Sequence, residues 1–143
     1  ITPKSAVRKY IFTGFMKSYY VENKFDSTTE QDFAFILENE SKVLKWLRPV
    51  TNQFSIYWGN GAHKYEPDFI VETEDSIYMI ETKKAKDVTD DDVQAKKDAA
   101  QEYCKYATEY NIQNGGKPWQ YILLPHDSVD RTCSFDFLMA HKA

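Results

Sequence analysis

Asp68, Glu81 and Lys83 have the types and spacing to hold a divalent cation with a basic group beside it. Asp68 lies in the run Glu66-Pro67-Asp68-Phe69-Ile70-Val71, and the other two lie in Ile77-Tyr78-Met79-Ile80-Glu81-Thr82-Lys83-Lys84. Both runs are strand-like, and the short polar stretch from Glu72 to Ser76 joins them, which predicts an antiparallel hairpin. A turn centred between Glu74 and Asp75 sets Asp68 directly opposite Glu81. Strand alternation then puts Lys83 on the face of Glu81, two residues along. Like charges opposed on one sheet face destabilise it unless something neutralises them, and a divalent cation is the natural neutraliser. Glu-Asp is not the Asn-Gly or Asp-Gly pair that a tight hairpin prefers, but a four-residue loop with the same centre keeps the register. Ile70, Ile77 and Met79 share the face of the charges, and Pro67, Phe69, Val71, Tyr78 and Ile80 form the other. Both faces are therefore expected to be covered, with the charges gathered at the open end.

The elements that must position this hairpin follow from pattern. Ser27-Thr28-Thr29-Glu30 has the capping-box form and precedes an apolar series at Phe33, Ile36, Leu37, Leu44 and Leu47, which predicts an amphipathic helix ending before Pro49. Gln53 to Trp58 is the expected first strand, and the hairpin supplies the next two. Thr89 to Asp92 starts a second helix with acids in its first turn, whose inner face carries Val93, Ala100, Tyr103, Cys104, Ala107 and Tyr110. Asn114-Gly115-Gly116 breaks that helix, and Trp119 to Leu124 is a continuous apolar strand, covered on both faces, before Pro125. Phe135, Phe137, Leu138 and Met139 read as a terminal packing element, and residues 1–20 as extended or irregular cover. The order α-β-β-β-α-β predicts an α/β fold with a mixed four-stranded central sheet flanked by helices.

The 143 residues, 16.7 kDa, suit one domain spanning 1–143. A composition 42% hydrophobic and 28% charged is that of a globular protein, and no apolar run approaches the roughly 20 residues of a membrane span. No signal peptide is apparent, and Cys104 and Cys133 fit no metal-spacing motif, so reduced thiols and a cytoplasmic location are expected. The first residue, Ile1, suggests a domain excised from a longer chain. A net charge of -4 excludes a generic nucleic-acid coat while allowing a local basic groove.

Pro67-Asp68 followed by Glu81-Thr82-Lys83 resembles the PD-(D/E)XK nuclease motif. The wider text is more specific: Phe25-Asp26-Ser27 with Glu30 and Phe33; Tyr65 to Val71; Ile80-Glu81-Thr82-Lys83; Val93 with Lys96; and Lys117-Pro118-Trp119 before the last strand. Over nearly the whole chain this resembles the C-terminal endonuclease domain of the restriction subunit of type III restriction enzymes. The resemblance implies a restriction-endonuclease-like fold, Mg²⁺ dependence with Mn²⁺ as a substitute, and cleavage of double-stranded DNA. It also implies an upstream helicase-like ATPase in the same full-length chain and a separate methyltransferase subunit that reads the recognition sequence. No Gly-x-x-x-x-Gly-Lys-Ser/Thr loop occurs here, so ATP belongs to the motor and not to this chain. Lys84 departs from the family, which often has a small residue there, and adds local positive charge.

Phosphodiester hydrolysis needs an activated water and stabilisation of the developing phosphoryl charge. Asp68 and Glu81, with the Thr82 main-chain carbonyl, suffice as protein ligands for Mg²⁺, which keeps waters and takes phosphate oxygens. Lys83 would orient or deprotonate the water; the plainer alternative is a lysine snorkelling from a strand end. Glu30 shares the buried face of its helix, and the resemblance makes it a further acidic site residue or metal ligand, whereas the capping box alone already accounts for it. Lys96 and Lys97 follow Val93 by three and four positions and could hold phosphate from the helix, Lys96 being preferred by the resemblance; both also suit a solvated face. Lys84 and Lys86 are candidate DNA-backbone contacts. His63, His126 and His141 lack ligand spacing and read as structural or surface residues. Two other functions stay open: a non-catalytic nucleic-acid-binding or scaffold version of the fold, and a repair or RNA-processing nuclease of the same superfamily.

Overall fold

The computed structural model describes residues 4–51, 53–58, 63–140 and 142. Its first helix, α1 (Thr28–Asn39), starts where the capping box puts it: the Ser27 side chain accepts from the Glu30 N–H at 3.2 Å. Phe33, Ala34, Ile36 and Leu37 form its buried face. The helix stops at Asn39 and does not run on to Pro49. Val43–Leu47 is instead a strand, β1, with Val43 and Trp46 buried and Leu44 about half exposed. The pairing of β1 is irregular between Val43 and Lys45. The helical pattern is carried on by Leu44 and Leu47, three apart, but the strand buries Val43 and Trp46 instead and leaves Leu44 turned outward.

The expected first strand, Gln53 to Trp58, is reduced to β2 (Ile56–Trp58), which pairs antiparallel with β3 (His63–Tyr65) in a separate two-stranded ribbon. The place assigned to it in the central sheet is taken by β1. Next come β4 (Phe69–Thr73) and β5 (Ile77–Lys83), paired Phe69 to Ile80, Ile70 to Met79 and Val71 to Tyr78. That is the register expected from a turn centred on Glu74-Asp75. The turn is closed by a side chain as well as by the backbone: Thr73 N–H donates to the Ser76 carbonyl at 2.9 Å, and Ser76 N–H donates to Thr73 Oγ1 at 3.1 Å. Thr73 thereby replaces the turn chemistry that Glu-Asp lacks.

Helix α2 (Asp91–Gln113) leads from β5 to β6 (Trp119–Pro125), which runs parallel to β5. Val93, Ala100 and Cys104 face inward as expected, but Tyr110 is largely exposed and Tyr103 packs at the margin against Phe54 and Trp119. Gly115, with φ +78°, takes the left-handed conformation just beyond the helix end. A short helix, α3 (Phe135–Ala140), buries Phe135 and Leu138 and leaves Phe137 partly exposed.

The result is an α/β architecture whose central four-stranded mixed sheet has the order β1-β4-β5-β6. On one face α1, α3 and the amino-terminal segment, through Val7, Phe12 and Phe15, cover Phe69, Val71, Ile80, Ile122 and Leu124. On the other, α2 and the ribbon cover Met79, Tyr121 and Leu123. The cover on the α2 side stops short of β1, where Leu47, Ile70, Ile77 and Trp119 line an open, mostly apolar cleft of about 230 Å³; the charged groups gather instead at the end of the strands. No helix among the described residues is long and apolar enough to cross a membrane.

Candidate active site

Asp68 immediately precedes β4, and Glu81 to Lys83 close β5. The ladder ends with Phe69 opposite Ile80. One residue outward the Asp68 N–H donates to the Ile80 carbonyl at 3.1 Å, so Asp68 stands beside the Ile80–Thr82 segment without the direct pairing to Glu81 that the regular register predicts. Asp68, Glu81, Thr82, Lys83 and Lys84 line a cleft of about 270 Å³ at this end of the sheet, together with Glu30 from α1. Asp26, Ser27, Asp87 and His126 complete its wall. The hairpin residues and Glu30, singled out from sequence, are thus brought to one place. Lys86 and Lys97 do not line the cleft. Lys86 is exposed on the turn Ala85–Asp87, and Lys97 is half-buried on α2.

Each acid is held differently. Asp68 Oδ2 accepts two hydrogen bonds from Thr82, one from its N–H at 2.9 Å and one from Oγ1 at 3.0 Å. Burial pushes the Asp68 carboxyl above its ordinary range, opposed by the Thr82 N–H and by the Arg48 guanidinium. Glu81 is pushed well above its ordinary value, first by burial and then by the charge of Asp68; the Tyr65 hydroxyl, Lys83 and Lys96 work against that rise. Lys96, though it does not line the cleft, therefore stands close enough on α2 to act on Glu81. Glu81 Oε2 and the Tyr65 hydroxyl are buried close to each other, and neither makes a hydrogen bond of ordinary geometry among the described residues.

Glu30 is buried at the first turn of α1. Its Oε1 accepts from the Asp26 N–H at 2.8 Å and lies 2.6 Å from Arg48 Nη2. Burial, then the Asp68 charge, raise its pKa to about 7, with Arg48 opposing. Only the Ser27 half of the capping box forms: the Glu30 carboxylate takes the N–H of Asp26, one residue before the cap, and adds an ion pair with Arg48.

Two site residues escape the sequence reading. Arg48 was absorbed into the tail of the expected helix; recognising Val43–Leu47 as a strand paired with the hairpin would have placed it beside Asp68. Its Nη1 donates to the Asp68 carbonyl at 2.9 Å and lies 3.9 Å from Asp68 Oδ1. His126, read as structural or surface, lines the cleft because it directly follows β6, at the carboxyl end of a parallel pair in which Lys83 faces Pro125. Burial holds its pKa below the ordinary value. His63 is exposed, and His141 lies outside the described residues.

Among the described residues no group of three or more His, Cys, Asp or Glu side chains is arranged as a metal site. Magnesium does not require one, because it binds through one or two carboxylates and otherwise through waters and phosphate oxygens. A buried carboxylate oxygen without a hydrogen bond of ordinary geometry, Glu81 Oε2, beside a second carboxylate is a donor set that fits a hard divalent cation. No family model matches the chain, and no curated protein matches it.

Proposed function

We propose that the chain is a Mg²⁺-dependent endonuclease domain of the restriction-endonuclease-like type that hydrolyses phosphodiester bonds of double-stranded DNA. In this proposal it is the C-terminal nuclease part of a type III restriction subunit, working in the cytoplasm with an upstream ATPase motor and a methyltransferase subunit. The observation that carries it is the convergence at one cleft of Asp68, Glu81 and Lys83, on a hairpin paired in the expected register from Phe69 to Glu72, with Glu81 Oε2 buried and without a hydrogen bond of ordinary geometry.

Asp68 and Glu81, with the Thr82 carbonyl, would hold Mg²⁺ or Mn²⁺. When bound, the cation supplies a Lewis acid for the phosphoryl oxygens and lowers the pKa of a water. Thr82 fixes Asp68 Oδ2 by two bonds, so the carboxylate meets its ligand already oriented. Lys83, two residues beyond Glu81 on the same face, orients the attacking water and offsets the negative charge that builds on the phosphate. Lys84 at the cleft wall and Lys96 on α2 supply positive charge for flanking phosphates.

One observation favours a second possibility. Arg48 already places a cation among Glu30, Asp26 and Asp68, as a non-catalytic binding version of the fold would need if no metal were present. Calorimetric titration of Mn²⁺ into the native domain and into Asp68→Ala and Glu81→Ala separates the two. The nuclease proposal expects a saturable site that each variant weakens by about tenfold or more. Equal affinity in all three would remove the metal centre and leave the arginine-neutralised version.

A further inference from the structure

Arg48 directly follows β1 and is only 12% exposed, yet every nitrogen of its guanidinium is used. Nε donates to the Lys24 carbonyl at 2.8 Å, and Nη1 to the Asp68 carbonyl at 2.9 Å. Nη2 meets Asp26 Oδ2 at 3.1 Å and Glu30 Oε1 at 2.6 Å. The Phe25 and Phe69 rings lie 6.0 and 5.5 Å from its central carbon, within cation-π range. One side chain therefore joins the segment before α1, the first turn of α1, the end of β1 and the residue that opens β4. The planar fork of an arginine can do this; the point charge of a lysine cannot.

The same contacts redefine Glu30. Its Oε1 is committed to the Asp26 N–H and to Arg48, both of which hold it toward the loop before α1. Asp68, by contrast, has its main chain held by Arg48 and one carboxylate oxygen held by Thr82. We propose, resting on the nuclease function above, that Arg48 is the positioning residue of the site: it fixes Asp68 for cation and phosphate, and Glu30 acts through Arg48 and not as a ligand in its own right.

The test uses two variants that leave the net charge of the cluster unchanged, with the single variants Arg48→Met and Glu30→Gln completing a double-mutant cycle. Arg48→Lys keeps the positive charge and loses the fork. The pair Glu30→Gln with Arg48→Met removes one charge of each sign, so the buried Glu30 carboxylate is not left without its cation, while Asp26 and the Lys24 and Asp68 carbonyls lose their arginine donor. Circular dichroism and thermal unfolding establish that each is folded; Mn²⁺ affinity is then measured, along with kcat and KM for DNA. Misplacing Asp68 should weaken Mn²⁺ binding or lower kcat by about tenfold or more, with KM for DNA within about twofold of native. The double variant should lose no more than Arg48→Met alone, because two groups acting as one unit do not add. Native-like Mn²⁺ affinity and kcat in folded Arg48→Lys would overturn the positioning role while leaving the nuclease intact. Losses that multiply would return Glu30 to an independent role. A native domain that binds no Mn²⁺ would overturn the nuclease proposal and this inference together.

Discussion

Glu30, Asp68 and Glu81 share one electrostatic condition: all three carboxyls are pushed above their ordinary range, chiefly by burial. A carboxyl whose pKa is higher in the folded state takes up a proton on folding. Its contribution is fully present below the unfolded pKa and is lost as pH rises through the folded value. For Glu30 that window runs from 4.5 to about 7. His126 works the other way, since a lowered pKa means that it releases a proton on folding, but it is one group against three. In cation-free buffer the urea midpoint should therefore fall from about pH 5 to pH 7, and Glu30→Gln should flatten the slope; a midpoint that rises over this range would contradict the charge balance described here. The chemical residues were legible because acids placed opposite each other on a strand pair are unusual and demand an explanation. Arg48 was not, because a basic residue before a proline carries no signal until the strand before it is recognised.

The hairpin is the element that makes the site, and its register could be read because a one-residue slip would turn Phe69, Val71 and Ile80 away from the α1 layer. Its turn could not, since closure depends on the Thr73 hydroxyl and not on the residues at the tip. Thr73→Val keeps the shape, removes that hydroxyl and leaves the Ser76 N–H without its side-chain acceptor. Urea unfolding should show a loss of about 1–2 kcal/mol, with the hairpin register unchanged by nuclear Overhauser contacts between Phe69 and Ile80. An unaltered stability would mean that the backbone bond of the turn suffices. The error over α1 and β1 has a comparable cause. Leu44 and Leu47 lie three apart after a helix whose own core spacing is three and four, so they extend the helical pattern past its true end, although Leu44 is turned outward on the strand that follows.

At the scale of the whole molecule, a mixed sheet with helical layers on both faces could be anticipated from the alternation of helices with apolar strands, but not the open cleft beside β1 that the α2 layer does not reach. The ribbon of β2 and β3 could not, because short strands carry little periodicity and its role is to roof the α2 face, where Tyr65 reaches Glu81. With a net charge of -4, the proposed function requires that affinity for DNA come from the lysines around the cleft and fall steeply with salt. The most direct measurement is nicking of supercoiled plasmid at low ionic strength, with Mn²⁺ or Mg²⁺ and a high concentration of the domain, beside Lys83→Ala and Asp68→Ala. Cation-dependent nicking by the native domain, lost in both variants, is the predicted result. Equal cutting by all three proteins, or no cutting by native domain that has bound both cation and DNA, would contradict a nuclease centre built from Asp68, Glu81 and Lys83.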